Sequence, residues 1–125
     1  MKDDISTIKS LLQSLKKENK ILIAILYGSY AKGLQHRRSD IDLALYIKAK
    51  NQQEELKILD TIHTSSEKEI AILRLHDEDE SPFVIQEALK GIHLVPPDKE
   101  LFYALSDRIL HECENIRFNR RLTVG

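Results

Sequence analysis

The stretch LYGSYAKGLQHRRSDIDLAL, residues 26–45, decides the reading of the whole chain. It carries a Gly-Ser pair, Gly28-Ser29, at the end of an apolar run, and two carboxylates, Asp40 and Asp42, either side of Ile41. In a strand, residues i and i+2 leave the same face, about 6–7 Å apart at Cα. Asp40 and Asp42 therefore point one way and Ile41 into the opposite layer. Two like charges at that spacing repel, and each resists burial unless something positive compensates. A solvent-facing strand end tolerates such a pair. A divalent cation makes use of it, because hard carboxylate oxygens completed by waters and phosphates are the usual shell of Mg²⁺. Two such ions can activate an attacking oxygen and stabilise a leaving one.

Gly28-Ser29 shifts the balance toward the cation. The chain leaves a buried strand, turns on glycine and enters a short helical turn that ends near Gly33. Backbone N–H groups at such a turn form an anion cradle. Glycine allows close approach of a phosphate, and serine adds a hydroxyl donor. An anion site at the end of one strand thus faces a carboxylate pair on the next. Phosphoryl or nucleotidyl transfer needs that juxtaposition.

The rest of the chain fits one small domain spanning residues 1–125. Charged residues make up 31% and hydrophobic residues 42%, as in an ordinary globular protein. The net charge of -1 argues against direct nucleic-acid binding, which shows as a basic excess. The longest apolar run, Ile21 to Tyr27, is far too short to span a membrane. No signal-peptide pattern opens the chain. The single cysteine, Cys113, has no internal partner. An intracellular, cytoplasmic protein is expected.

Periodicity predicts the order α-β-α-β-α-β-α-β-α, an α/β (α+β) fold with a small mixed sheet of about four strands flanked by helices. Asp3 or Asp4 caps a first helix with Ile5, Ile8, Leu12 and Leu15 on one face. Ile21 to Tyr27 and Asp40 to Lys48 read as strands, the first covered on both faces. Gln52 to His63 reads as a helix with Leu56, Leu59 and Ile62 as its stripe. Glu69 to Leu75 is a third strand. Ser81-Pro82 opens a helix that runs to about Lys90 and stops at Gly91. Ile92 to Val95, closed by Pro96-Pro97, is an edge strand. A last helix carries Phe102, Leu105, Ile109, Cys113 and Ile116, followed by a frayed basic tail, RFNRR.

Gly28-Ser29, ten residues, then Asp40-Ile41-Asp42 resembles the signature of the DNA polymerase β-type nucleotidyltransferases. Ala31, Gly33 and Ser39 match its filler. The size resembles the minimal nucleotidyltransferases (MNT), many of them antitoxins paired with a HEPN-domain RNase toxin. The resemblance implies a Mg²⁺-dependent adenylyltransferase that moves AMP from ATP to a hydroxyl, a tyrosine, of such a toxin and so neutralises it. It places Gly28 and Ser29 on the β- and γ-phosphates, with Lys32 and Ser39 as further nucleotide-binding positions. It makes Asp40 and Asp42 the ligands of Mg²⁺, two ions in all. A third carboxylate on a later strand serves as metal ligand and base, and Glu69 is expected there, where aspartate is commoner. Asp77 and Asp79 are alternatives beyond that strand.

Lys32, His36, Arg37 and Arg38 either contact the triphosphate or an acidic partner, or lie in a solvated loop. The histidines show no zinc spacing. Two other functions fit the same residues: transfer to a small hydroxyl compound, and neutralisation of a partner by binding alone.

Overall fold

The computed structural model describes residues 4–34 and 40–124, with side chains through residue 120. Asp3, His36, Arg37, Arg38 and Ser39 fall outside the described residues. Helix α1, Asp4–Lys17, buries Ile8, Leu12 and Leu15 and ends on Lys16 and Lys17. Basic side chains there complement the partial negative charge of the helix C-terminus. Asn19 follows in the left-handed region, φ 60, and turns the chain into the sheet. Asparagine tolerates that conformation better than other side-chain-bearing residues.

Strand β1, Ile21–Tyr27, runs into the short helix α2, Gly28–Ala31. Strand β2 is Ile41–Ile47, helix α3 is Gln52–His63 and strand β3 is Ile70–Arg74. Helix α4 is Pro82–Ala88, strand β4 is Ile92–His93 and helix α5 is Lys99–Val124. The four strands lie in the order β3-β2-β1-β4. β1 is antiparallel to β2 and to β4, while β2 and β3 are parallel across the α3 crossover. This is the small mixed sheet expected, with β4 on an edge. No helix among the described residues is long and apolar enough to cross a membrane.

Two apolar layers sandwich the sheet. On one face Ile8 and Leu12 of α1 and Ile58 and Ile62 of α3 pack on Ile41, Leu43 and Leu45. On the other, Ile85 of α4 and Leu105, Ile109 and Cys113 of α5 pack on Ile23, Ile25, Ala44 and Leu73. A bulge between Ile21 and Ile23 puts these two residues into opposite layers, as one extra residue in a strand must. β1 is therefore covered on both faces, as its continuous apolar run implies.

Four expectations need correction. β4 pairs over Ile92 and His93 only, because Pro96 and Pro97 end the extended run soon after. Leu56 is 63% exposed; Ile58 and Ile62 carry the α3 contact instead, with Leu59 packed beside them. Glu69 does not lie within β3 but immediately before it. The tail RFNRR is not frayed but lies within α5, which is 26 residues long. The guanidinium carbons of Arg117 and Arg120 sit 5.3 and 5.6 Å from the Phe83 ring centroid, tying these turns to α4.

Candidate active site

The antiparallel register of β1 and β2 sets Tyr27 opposite Asp42. The Gly-Ser turn that follows Tyr27 is thereby placed at the carboxylate end of β2. Gly28 has φ +73, a conformation that costs a side-chain-bearing residue about 1–2 kcal/mol. A Cβ on Gly28 would also collide with the Asp42 carboxylate and come within 3.2 Å of its Cγ. Glycine is needed twice here, for the turn and for the space the carboxylate occupies. The two halves of the signature are in direct contact.

Ser29 follows in α2, half-buried, and its carbonyl accepts from Leu34 N–H at 2.9 Å. Gly33, φ +70, closes the turn. Lys32 is exposed beside it. A cavity of about 500 Å³ opens here between α2 and the α4–β4 turn, with Gly28, Lys32, Glu87, Lys90 and Gly91 among its lining. Sequence reasoning missed Lys90, since no motif links it to Gly28. Only the β1–β4 pairing brings them together.

Asp42 is half-buried and Asp40 exposed. Burial, and then the neighbouring Asp40 charge, push the Asp42 carboxyl above its ordinary value. Burial, then Asp42, then Glu80, likewise push the Tyr27 hydroxyl up. Burial and the Asp40 charge both disfavour the charged form of Asp42. Two hard oxygen donors, mutually repelling and open to solvent on one side, fit a divalent cation.

Glu69 is exposed, and its carbonyl oxygen accepts from Ile41 N–H at 3.0 Å. That bond sets Glu69 beside Asp40. The position across from Asp42 on β3 is Ala71. Among the described residues, no group of three or more His, Cys, Asp or Glu side chains is gathered as a metal ion's ligand set. Asp77 is held elsewhere, accepting from Arg74 Nη2 at 2.8 Å. His76 is bonded to Glu55 through Nε2 and accepts from Ile47 N–H at Nδ1. The Glu55 contact ties His76, just after β3, to α3, and the Ile47 bond ties it to β2.

The sequence matches the family described as Polymerase beta, Nucleotidyltransferase over residues 9–100. The chain belongs to that family. Its fold is similar to that of a chain in a toxin–antitoxin complex crystallised with AMP-PNP, with 18% identity over 93% of this chain and 94% of that one, TM-score 0.70. It is also similar to a chain in a complex of tri-AMPylated Shewanella oneidensis HEPN toxin with MNT antitoxin, with 13% identity, 96% and 95% covered, TM-score 0.66. A third similar structure is the MntA-HepT toxin–antitoxin complex, with 11% identity, 95% and 94% covered, TM-score 0.65. None of the curated proteins matches the sequence.

Proposed function

We propose that this chain is an MNT-type antitoxin that transfers AMP from ATP to a tyrosine hydroxyl of a HEPN-domain toxin. The observation that carries this reading is the contact between Gly28 and the Asp42 carboxylate, in a chain of the nucleotidyltransferase family. The near-complete overlap with the toxin–antitoxin structures supports the partner class.

Gly28 and Ser29 bind the β- and γ-phosphates at the α2 turn, and Lys32 and Ser39 are further nucleotide-binding positions. Asp40 and Asp42 hold Mg²⁺, whose chemistry when bound is to neutralise phosphate charge and polarise the reacting phosphorus. The acceptor oxygen attacks the α-phosphorus in line. One oxygen–phosphorus bond forms, the bond to the β-phosphate bridging oxygen breaks, and pyrophosphate leaves. The hydroxyl proton passes to a carboxylate of the site or to solvent. The protein does little covalent work; it orients the reactants and supplies fixed charges.

A second reading, neutralisation by binding alone, is favoured by one observation: the expected third carboxylate, Glu69, stands beside Asp40 and not beside Asp42. Intact mass spectrometry of the toxin partner, incubated with this chain, Mg²⁺ and ATP, separates the two. Gains of whole AMP units with the wild type, absent with Asp40→Asn/Asp42→Asn, are expected. Neutralisation without mass gain, preserved in the double variant, would establish the binding module instead.

A further inference from the structure

The α4–β4 turn brings a second lysine to the Gly28 turn. In the antiparallel pair of β1 and β4, Ile92 lies opposite Leu26. Antiparallel partners run past each other in opposite senses. Two residues forward from Leu26 the chain reaches Gly28, and two residues back from Ile92 it reaches Lys90. The approach is close, since a Cβ on Gly91 would collide with the Leu26 carbonyl oxygen. Lys32 arrives from the other side, one turn after Gly28, its N–H donating to the Gly28 carbonyl at 3.2 Å. Lys32 and Lys90 are both exposed, and both line the cavity of about 500 Å³ that Tyr27 and Gly28 also line.

This cavity adjoins the carboxylate pair. Tyr27 stands opposite Asp42 in the β1–β2 register, and the Asp42 carboxylate fills the space where a Gly28 side chain would begin. A nucleotide whose α-phosphorus lies at Asp40 and Asp42 leads its remaining phosphates away from them, because like charges repel. The cavity with two lysines offers those phosphates opposite charge. Lys90 already has a partner, Glu87, at 3.6 Å, but both side chains are about two-thirds exposed, and exposed pairs of this kind hold weakly. A terminal phosphate carries more charge than one carboxylate and competes for the ammonium group. Lysine meets phosphate as a mobile point charge, which suits a residue that must exchange one anion for another.

We propose that this cavity takes the terminal phosphate of a nucleoside triphosphate between Lys90 and Lys32, and that Lys90 thereby selects triphosphates over diphosphates. The proposal rests on the nucleotidyltransferase reading of the site and adds to it a residue from outside the Gly-Ser and Asp-x-Asp stretch. When the bond between the α-phosphorus and its bridging oxygen breaks, negative charge gathers on the departing pyrophosphate. The same two lysines then face that charge as fixed compensation. Glu87 tunes the pocket, because its carboxylate competes with the phosphate for Lys90.

Isothermal titration of the full chain in Mg²⁺ buffer, with α,β-methylene-ATP and with α,β-methylene-ADP, reads the terminal phosphate by difference. Neither analogue can be cleaved between its α- and β-phosphates. Lys90→Ala is expected to weaken the ATP analogue about tenfold, the scale of one charge-assisted hydrogen bond, and to leave the ADP analogue within about twofold. Lys90→Arg, which keeps the charge, is expected to stay within about threefold of the wild type for both. Glu87→Gln, which frees Lys90 from its pair, is expected to tighten the ATP analogue about twofold. Unchanged affinity for the ATP analogue in Lys90→Ala overturns the proposal. Equal loss for both analogues overturns it too, and places another part of the nucleotide in the cavity. Lys90→Arg as weak as Lys90→Ala, or weaker binding in Glu87→Gln, overturns the charge argument. Binding of neither analogue to the wild type overturns the nucleotidyltransferase reading itself.

Discussion

Asp42 is the residue where folding and chemistry pull in opposite directions. Its carboxyl is pushed up first by burial and then by Asp40, so the folded chain holds that proton more tightly than the unfolded chain does. The stabilising contribution is fully present below the ordinary value of 3.8 and is lost as pH rises through the raised folded value. At neutral pH the ionised side chain therefore weakens the fold. Asp42→Asn stays neutral throughout and escapes this. In metal-free buffer at pH 7 it is expected to melt about 1–3 °C above the wild type, the small size reflecting solvent screening of a half-exposed charge. Below the ordinary aspartate value the two proteins should melt together. Thermal scans across pH with EDTA present check both parts, and a variant less stable at pH 7 would show that Asp42 is held by a compensating partner. The same substitution removes a ligand of the proposed cation, so added Mg²⁺ and nucleotide should stabilise the wild type only.

At the scale of elements, hydrophobic period carried the sequence reading well wherever a face is uniformly buried. The continuous run of β1 and the alternation of Ile41, Leu43, Leu45 and Ile47 were legible because the sheet is covered on both sides. Leu56 misled, since a helix stripe one residue out of phase satisfies the same spacing while Ile58 makes the contact. The site residues on β1, α2 and β2 were legible because they lie in one continuous stretch. The β3 side was not: placing a residue across from Asp42 needs the interstrand register, which no local pattern encodes. The last turns of α5 were misread for a related reason. Their contact is a long-range one, Arg117 and Arg120 against Phe83 of α4. Phe83→Ala is expected to cost about 1–2 kcal/mol, below the usual range for truncating a fully buried ring because Phe83 is only half-buried. Its particular signature is local. Amide exchange from Arg117 onward should speed up by about tenfold, while the turns around Leu105 and Ile109 keep their protection. Uniform loss of protection along α5 would mean that the C-terminal turns are held by the core stripe and not by Phe83.

The molecule as a whole is a sheet clamped between two helical layers, and the site sits where both clamps end. Gly91 shows how closely that end is fitted. A Cβ there would collide with the Leu26 carbonyl oxygen and lie 2.8 Å from Ile25 Cγ2, so the α4–β4 turn approaches β1 at backbone distance. Leu26 is also the residue that pairs with Ile92, and two residues further along β1 the chain enters Gly28. Displacing the turn must disturb the β1–β4 pairing, the Leu94 N–H bond to the Ala24 carbonyl at 2.8 Å, and the cavity that Gly28, Lys32 and Lys90 share. Gly91→Ala is therefore expected to destabilise the fold by about 1–3 kcal/mol, the usual range for overpacking. It should also weaken nucleotide binding beyond what that loss explains. Leu105→Ala provides the comparison: it opens a cavity in the layer under α5 at a cost of about 2–4 kcal/mol, without forcing a clash at the α4–β4 turn. Nucleotide titrations are run at a temperature where both variants are fully folded. An affinity drop of about fivefold or more in Gly91→Ala, with Leu105→Ala close to wild type, is the expected result. Equal affinities would show that the Gly28 turn holds its shape without β4, and that the α4–β4 turn serves the core alone.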